Sequence, residues 1–193
     1  MKGLFRMPAD FADRSGKLHE AFLLGEVRHE DQGYSKALRD MGAREDGYLP
    51  FRKALELAKQ FQPLDPETKK PQDPANPWKA FPNALRIAIA DALGLTETKD
   101  LDRLHYYTTV GSPFDAFHGV DCVIELEGRT PKEEARLATF DVTANPDPEA
   151  KENAKANVIV RGLHDENSPE FLKDVDEIAA QAAPFIGGPR RAA

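Results

Sequence analysis

An α/β fold, α+β in arrangement, is predicted for this chain by three observations. Apolar residues recur at helical spacing in three segments within residues 17–61, and again over 84–93 and 171–182. Four stretches within 103–161 alternate apolar and polar residues with a period of two, which is the strand pattern. A proline-rich run over 62–82 breaks any regular element between the two halves.

The elements follow in order. Over 17–28, Leu18, Ala21, Phe22 and Leu24 give an imperfect apolar helical face. Ser35 is placed to cap a short helix holding Ala37, Leu38 and Met41, with Gly42 stopping it. Pro50 opens a better helix carrying Phe51, Ala54, Leu55, Ala58 and Phe61. The prolines at 63, 66, 71, 74, 77 and 82 make 63–82 a long loop or linker, with Trp78, the only tryptophan, as its anchor to the core. Ala84, Leu85, Ala88, Ala92 and Leu93 mark a helix closed by Gly94. A strand over 103–110 leads into GSPFDAFHG, read as a connector in which Asp115 is an Asx-turn residue and His118 a turn histidine ahead of a general base. Arms over 120–127 and 136–144 form a hairpin around EGRTPKEEA. A short helix near 149–154, a strand over 156–161 and a helix started by Ser168 and Pro169 complete the order. The domain division expected is an N-terminal helical region over 1–62, a linker over 63–82, an α/β core over 83–186 and a flexible tail over 187–193.

The hairpin carries the chemistry. Centred near Pro131, it sets Asp121 opposite Asp141, Val123 opposite Thr139 and Glu125 opposite Leu137. Both aspartates then share a face, whereas a slip of one residue would swap the faces of one arm. Like charges directly opposite on a sheet destabilise it, and aspartate is disfavoured in strands. A hard divalent cation, Mg2+ or Mn2+, resolves the conflict, because such ions take one or two carboxylates together with water and phosphate oxygens. The other reading makes Asp121 a strand-edge or turn residue and gives Asp141 a backbone amide or a basic partner. Glu125, on the same face, is either a further metal ligand or a solvent-facing side chain.

The chain of 193 residues carries 26 basic and 33 acidic groups, a net charge of −7, which argues against nucleic-acid binding over the whole surface. The acidic excess lies mainly in 121–193, the segment of the aspartate pair. A restricted nucleic-acid site therefore stays open. No window approaches a membrane span, so no membrane partner is expected, and MKGLFRMPAD lacks the apolar run of a signal peptide. One cysteine, Cys122, cannot form an intrachain disulfide, and a cytoplasmic location is expected. No P-loop, dinucleotide fingerprint or zinc-ligand cluster stands in the sequence.

From Ala84 the order is helix, three strands, helix, strand, with an Asp opening the second strand and an acid inside the third. That order resembles the core of the PD-(D/E)XK nuclease superfamily over residues 83–161. VGSPFDAFHGVD and ATFDVTANP are also similar to uncharacterised small proteins of that fold. The resemblance implies a restriction-endonuclease-like αβββαβ core with an N-terminal helical extension, and metal-dependent cleavage of DNA or RNA phosphodiesters. Asp121 and Asp141 match the two metal-binding acids. The superfamily places a lysine two residues after the second acid, to assist the attacking water, and this chain has Thr143 there. Thr143 donates a hydrogen bond without a charge. Lys151 and Lys155 on the following short helix are the candidates to supply the cation, or are simply a solvated helix face. The competing expectation is an inactive nuclease-fold chain that binds a protein partner through its N-terminal helices; one fold hosts many functions.

Overall fold

Alternation of large apolar side chains in four short segments builds a four-stranded mixed sheet in the order β1-β2-β3-β4. The strands are β1 (Leu104–Thr108), β2 (Cys122–Leu126), β3 (Arg136–Thr143) and β4 (Val158–Arg161). β1, β2 and β3 are successively antiparallel, and β4 is parallel to β3. The structure is a computed structural model and describes residues 19–143 and 155–187. The helices are α1 (residues 19–24), α2 (Tyr34–Asp40), α3 (Phe51–Gln60), α4 (Ala80–Leu93), α5 (Thr98–Leu101), α6 (Pro113–His118) and α7 (Pro169–Gly187). Among them no helix is long and apolar enough to cross a membrane. The result is a mixed α+β fold around one open sheet.

The period-two pattern sends alternate residues to opposite faces. Tyr106, Cys122, Ile124, Ala138, Phe140, Val142, Val158 and Val160 meet Phe81, Leu85 and Ile89 of α4 and Phe171, Val175 and Ile178 of α7 in the larger core. Each such aliphatic or aromatic side chain, once buried, contributes about 1.5–3 kcal/mol. Val123 and Leu137 look the other way, into a second core formed with Leu49, Ala54, Leu57, Ala58 and Phe114 from α3, α6 and their connections. The apolar stripe of α3 is therefore largely consumed inside the molecule, with Phe51 at its start left exposed. The observed register pairs Val123 with Thr139 and Glu125 with Leu137, as the hairpin reading expects.

Several element bounds differ from expectation for identifiable reasons. The helix expected over 17–28 is helical only to residue 24 among the described residues, because Gly25 at φ 84° turns the chain. Beyond it the chain runs extended, with Val27 N–H donating to the Val110 carbonyl at 3.0 Å. α2 starts with Gly33 at its N-cap, so Ser35 lies inside the helix; the Asp31 carboxylate takes the Gly33 N–H at 2.8 Å and turns the chain early. α4 starts at Ala80, and Pro82 sits in its first turn, where a missing N–H costs nothing. Trp78 is not an anchor in the core. It is 42% exposed, with the Lys79 ammonium 4.6 Å from the ring centroid. The connector after β1 contains α6, with Ser112 Oγ accepting the Phe114 N–H at the N-cap, Pro113 in the first turn and Gly119 at φ 63° closing it. These are ordinary helix signals at close spacing. The short helix expected near 149–154, Lys151 within it and the tail beyond 187 lie outside the described residues.

The proline-rich loop also has a structural task. β1 is an edge strand, and exposed strand edges invite unwanted pairing. Buried Gln62 covers this edge: its carboxamide accepts the Thr108 N–H at 3.0 Å and donates to the Thr108 carbonyl at 2.9 Å, as a neighbouring strand residue would. Pro74 adds its carbonyl as acceptor for Tyr106 N–H at 2.8 Å. Gln62→Leu leaves the Thr108 amide and carbonyl unpaired and is expected to cost about 1–3 kcal/mol. Urea unfolding, with faster hydrogen exchange at the Thr108 amide, checks this; unchanged exchange there contradicts the edge-capping role.

Candidate functional site

The site lies where β2 begins and β3 ends. Asp121 stands one residue ahead of β2 and is tied on several sides. Its N–H donates to the Phe140 carbonyl at 2.8 Å, and its carbonyl accepts the Thr109 N–H at 2.9 Å. Asp121 Oδ2 accepts the Val142 N–H at 2.7 Å. The carboxylate thus extends the pairing of β3 beyond the start of β2. The register, carried one residue past Cys122↔Phe140, brings Asp121 beside Asp141. Both are buried, at 4% and 7% exposure.

Burial raises the Asp121 carboxyl to about 8. The negative charge of Glu20 pushes the same way, the Val142 N–H opposes it, and Asp115 and Asp141 add to the rise. Three carboxylates from other parts of the chain therefore act on Asp121 here. Glu20 comes from α1, and Asp115 from the first turn of α6, where its Oδ2 accepts the Gly111 N–H at 2.9 Å. The apolar sequence around α1 gives no sign that Glu20 belongs with residues a hundred positions later. A cavity of about 600 Å³ adjoins this end, with Ala21, Glu26, Tyr34, Ser112, Asp115 and Phe117 in its wall.

The remaining candidates fall in different places. Glu125 is on the Asp121 face but four residues along, about 13 Å at strand spacing. It is buried and ion-paired with Lys59 of α3 at 2.8 Å, and Lys59 also lies 5.2 Å from the centroid of the Tyr107 ring. Neither the helical stripe of α3 nor the strand pattern signals that pair. His118 closes α6 against the Leu49 carbonyl at 2.9 Å, among the rings of Tyr48, Phe51 and Phe114. Lys155 donates to the Phe117 carbonyl at 3.2 Å. Thr143 ends β3 and is paired laterally with Arg161 of β4. Arg136 bonds the Gly187 carbonyl at 2.7 Å.

Comparison with protein-family models, with curated proteins and with solved structures gives no match. The reading of the site therefore rests on its geometry.

Among the described residues, no three His, Cys, Asp or Glu side chains are grouped closely enough to hold a metal on their own. Asp121 and Asp141 form a smaller set, and Mg2+ characteristically uses one or two carboxylates with water and phosphate oxygens completing its shell. Two adjacent buried carboxylates, one holding its proton through repulsion and burial, fit a divalent cation chemically. A cation bound there would offset the repulsion and displace the proton.

Proposed function

We propose that this end of the sheet is a divalent-cation site for hydrolysis of phosphodiester bonds in DNA or RNA. The observation that carries the reading is the burial of Asp121 beside Asp141 within a field of further carboxylates. The element order supports it as well. An antiparallel β1-β2-β3 meander with β4 parallel to β3, covered by α4 and α7 on one face and by α3 and α6 on the other, accords with a restriction-endonuclease-like core.

In this reading Asp121 and Asp141 hold Mg2+ or Mn2+. Such an ion activates water and stabilises the charge that develops on a phosphate undergoing displacement. The chain does the rest. The Val142 N–H fixes one oxygen of Asp121, leaving the other as ligand. Thr143 stands at the end of β3, two residues past Asp141 and on the same face of the sheet. The neighbouring cavity gives a nucleotide room at the acidic end.

The test is incubation of the wild type and Asp141→Asn with single- and double-stranded DNA and RNA in Mn2+ and in Mg2+. Cleavage by the wild type is expected, with at least about a hundredfold loss in the variant, the range seen when one electrostatic stabiliser is removed. Equal cleavage by both proteins removes the aspartate pair from the chemistry.

One observation favours the second reading, an inactive nuclease-fold chain that serves as an interaction module. Asp121, Glu125 and Lys155 each already have a structural bond. In that case neither protein cleaves, and the protein partner is sought on the exposed sides of the N-terminal helices.

A further inference from the structure

We infer that the cavity beside the aspartate pair binds the base of a guanine nucleotide, with Glu26 and Tyr34 reading its Watson–Crick edge, an inference that rests on the proposed phosphodiesterase reading for the substrate that carries the base. At about 600 Å³ the cavity is of the size of small-molecule sites, which are mostly apolar with a few placed polar groups. Leu38 of α2, Val110, and Pro113, Ala116 and Phe117 of α6 supply the apolar wall, which suits a flat ring. Among the described residues of that wall there is no Lys or Arg, and its charged side chains are Glu26 and Asp115. Both border Gly111. Asp115 Oδ2 accepts the Gly111 N–H at 2.9 Å, and Glu26 Oε1 lies 2.9 Å from the point where a Cβ on that glycine would stand. Glu26 also has His29 Nδ1 at 3.5 Å, but these side chains are 47% and 43% exposed, so the contact holds the carboxylate only weakly.

Tyr34 supplies the complementary group. It is the first residue of α2, 7% exposed, with its ring edge-on to Phe61 at 5.1 Å between centroids. It forms part of the cavity wall, yet its hydroxyl has no hydrogen bond to any described residue. Burial pushes that hydroxyl up to about 12, so it keeps its proton as a donor. Buried phenols ordinarily find a partner, and the cavity is where one can be supplied.

A ligand of this wall has to give hydrogens to Glu26, accept one from Tyr34 and turn no acceptor toward the carboxylates. Guanine meets all three terms. Its O6 is an acceptor, and the N1–H and 2-amino group beside it are adjacent donors that one carboxylate takes as a pair, as it takes the fork of an arginine. Adenine and cytosine offer one donor on that edge with an acceptor next to it, and uracil and thymine set one donor between two acceptors. Those acceptors are repelled by Glu26 and Asp115. Asp115, whose charge acts on Asp121, joins the cavity to the aspartate pair, so a base held here carries its phosphodiester toward the proposed metal site.

The experiment titrates guanosine, inosine, adenosine and cytidine by ligand-observed NMR into wild type, Glu26→Gln and Tyr34→Phe in a chelator, and maps cleavage of a mixed-sequence oligonucleotide by wild type and Asp141→Asn in Mn2+. Wild type is expected to bind guanosine at least about tenfold more tightly than inosine, which lacks only the 2-amino group, and than adenosine or cytidine. Glu26→Gln is expected to bring guanosine and inosine within about twofold of each other. Tyr34→Phe is expected to weaken both about tenfold, since both carry O6, and to leave their ratio and the Tm unchanged. Guanosine bound no better than adenosine by wild type, or a guanosine-to-inosine ratio that survives Glu26→Gln, overturns the assignment. Cleavage without preference for guanine, lost in Asp141→Asn, overturns guanine recognition while leaving the phosphodiesterase reading intact. Guanosine selectivity with no cleavage of any substrate overturns the phosphodiesterase reading and leaves the base site standing.

Discussion

Replacing Lys59 by methionine is expected to destabilise the fold by about 3–5 kcal/mol, the usual cost of stranding one half of a buried ion pair. The Lys59 and Glu125 side chains are 19% and 9% exposed and stand 2.8 Å apart. Burial alone would push the Lys59 ammonium down, but its hydrogen bond and charge interaction with Glu125, with help from Glu56, hold it above its ordinary value. Its stabilising contribution is therefore complete below the unfolded lysine value and is lost only as pH rises through the higher folded one. Without the ammonium, the Glu125 carboxylate remains on the sheet face near Leu137 and Tyr107 with its main counter-charge gone. The double variant Lys59→Met/Glu125→Leu is expected to recover most of the loss, since an apolar pair of similar volume removes the stranded charge. Urea unfolding of the single and double variants decides it. A single variant within about 1 kcal/mol of wild type places the pair effectively in solvent.

The second large effect is a pH dependence. Asp121 holds its proton in the folded chain up to about pH 8. The unfolded chain releases the same proton near an ordinary aspartate value of about 4. Between those limits the folded state binds more protons, so its stability is greatest at low pH and falls as pH rises, by up to about 1.4 kcal/mol per pH unit. Asp121→Asn keeps an oxygen for the Val142 N–H but has no proton to lose. With a chelator present, its stability relative to wild type is expected to climb between pH 5 and pH 8 by up to about 4 kcal/mol. Unfolding curves at unit pH intervals measure it. Parallel pH profiles for the two proteins mean that Asp121 is ionised in the fold throughout.

What the sequence revealed followed from periodicity. The hairpin register was legible because Cys122, Ile124, Phe140 and Val142 must share the larger core, and a slip of one residue would have sent them to the other face. α7 was legible from its start at Pro169 and its apolar stripe. α6 was missed although Ser112, Pro113 and Gly119 signal a helix, because six residues with two phenylalanines resemble a loop on pattern alone. Contacts between distant segments left no local trace. Gln62 acting as a strand neighbour, Lys59 reaching Glu125 and Glu20 acting on Asp121 all depend on tertiary placement. Thr143, two residues after Asp141, was visible in the sequence, whereas its pairing with Arg161 on β4 became visible only once the parallel register was known.

The most direct test of the central claim is Mn2+ binding itself, measured by calorimetry and by thermal melting on wild type, Asp121→Asn and Asp141→Asn at pH 6 and pH 8. The aspartate-pair site predicts that Mn2+ raises the Tm of wild type, more at pH 8 than at pH 6 because the proton on Asp121 competes with the metal, and that neither variant responds. A wild-type Tm indifferent to Mn2+ at both pH values, or an equal rise in all three proteins, contradicts a metal site at Asp121 and Asp141.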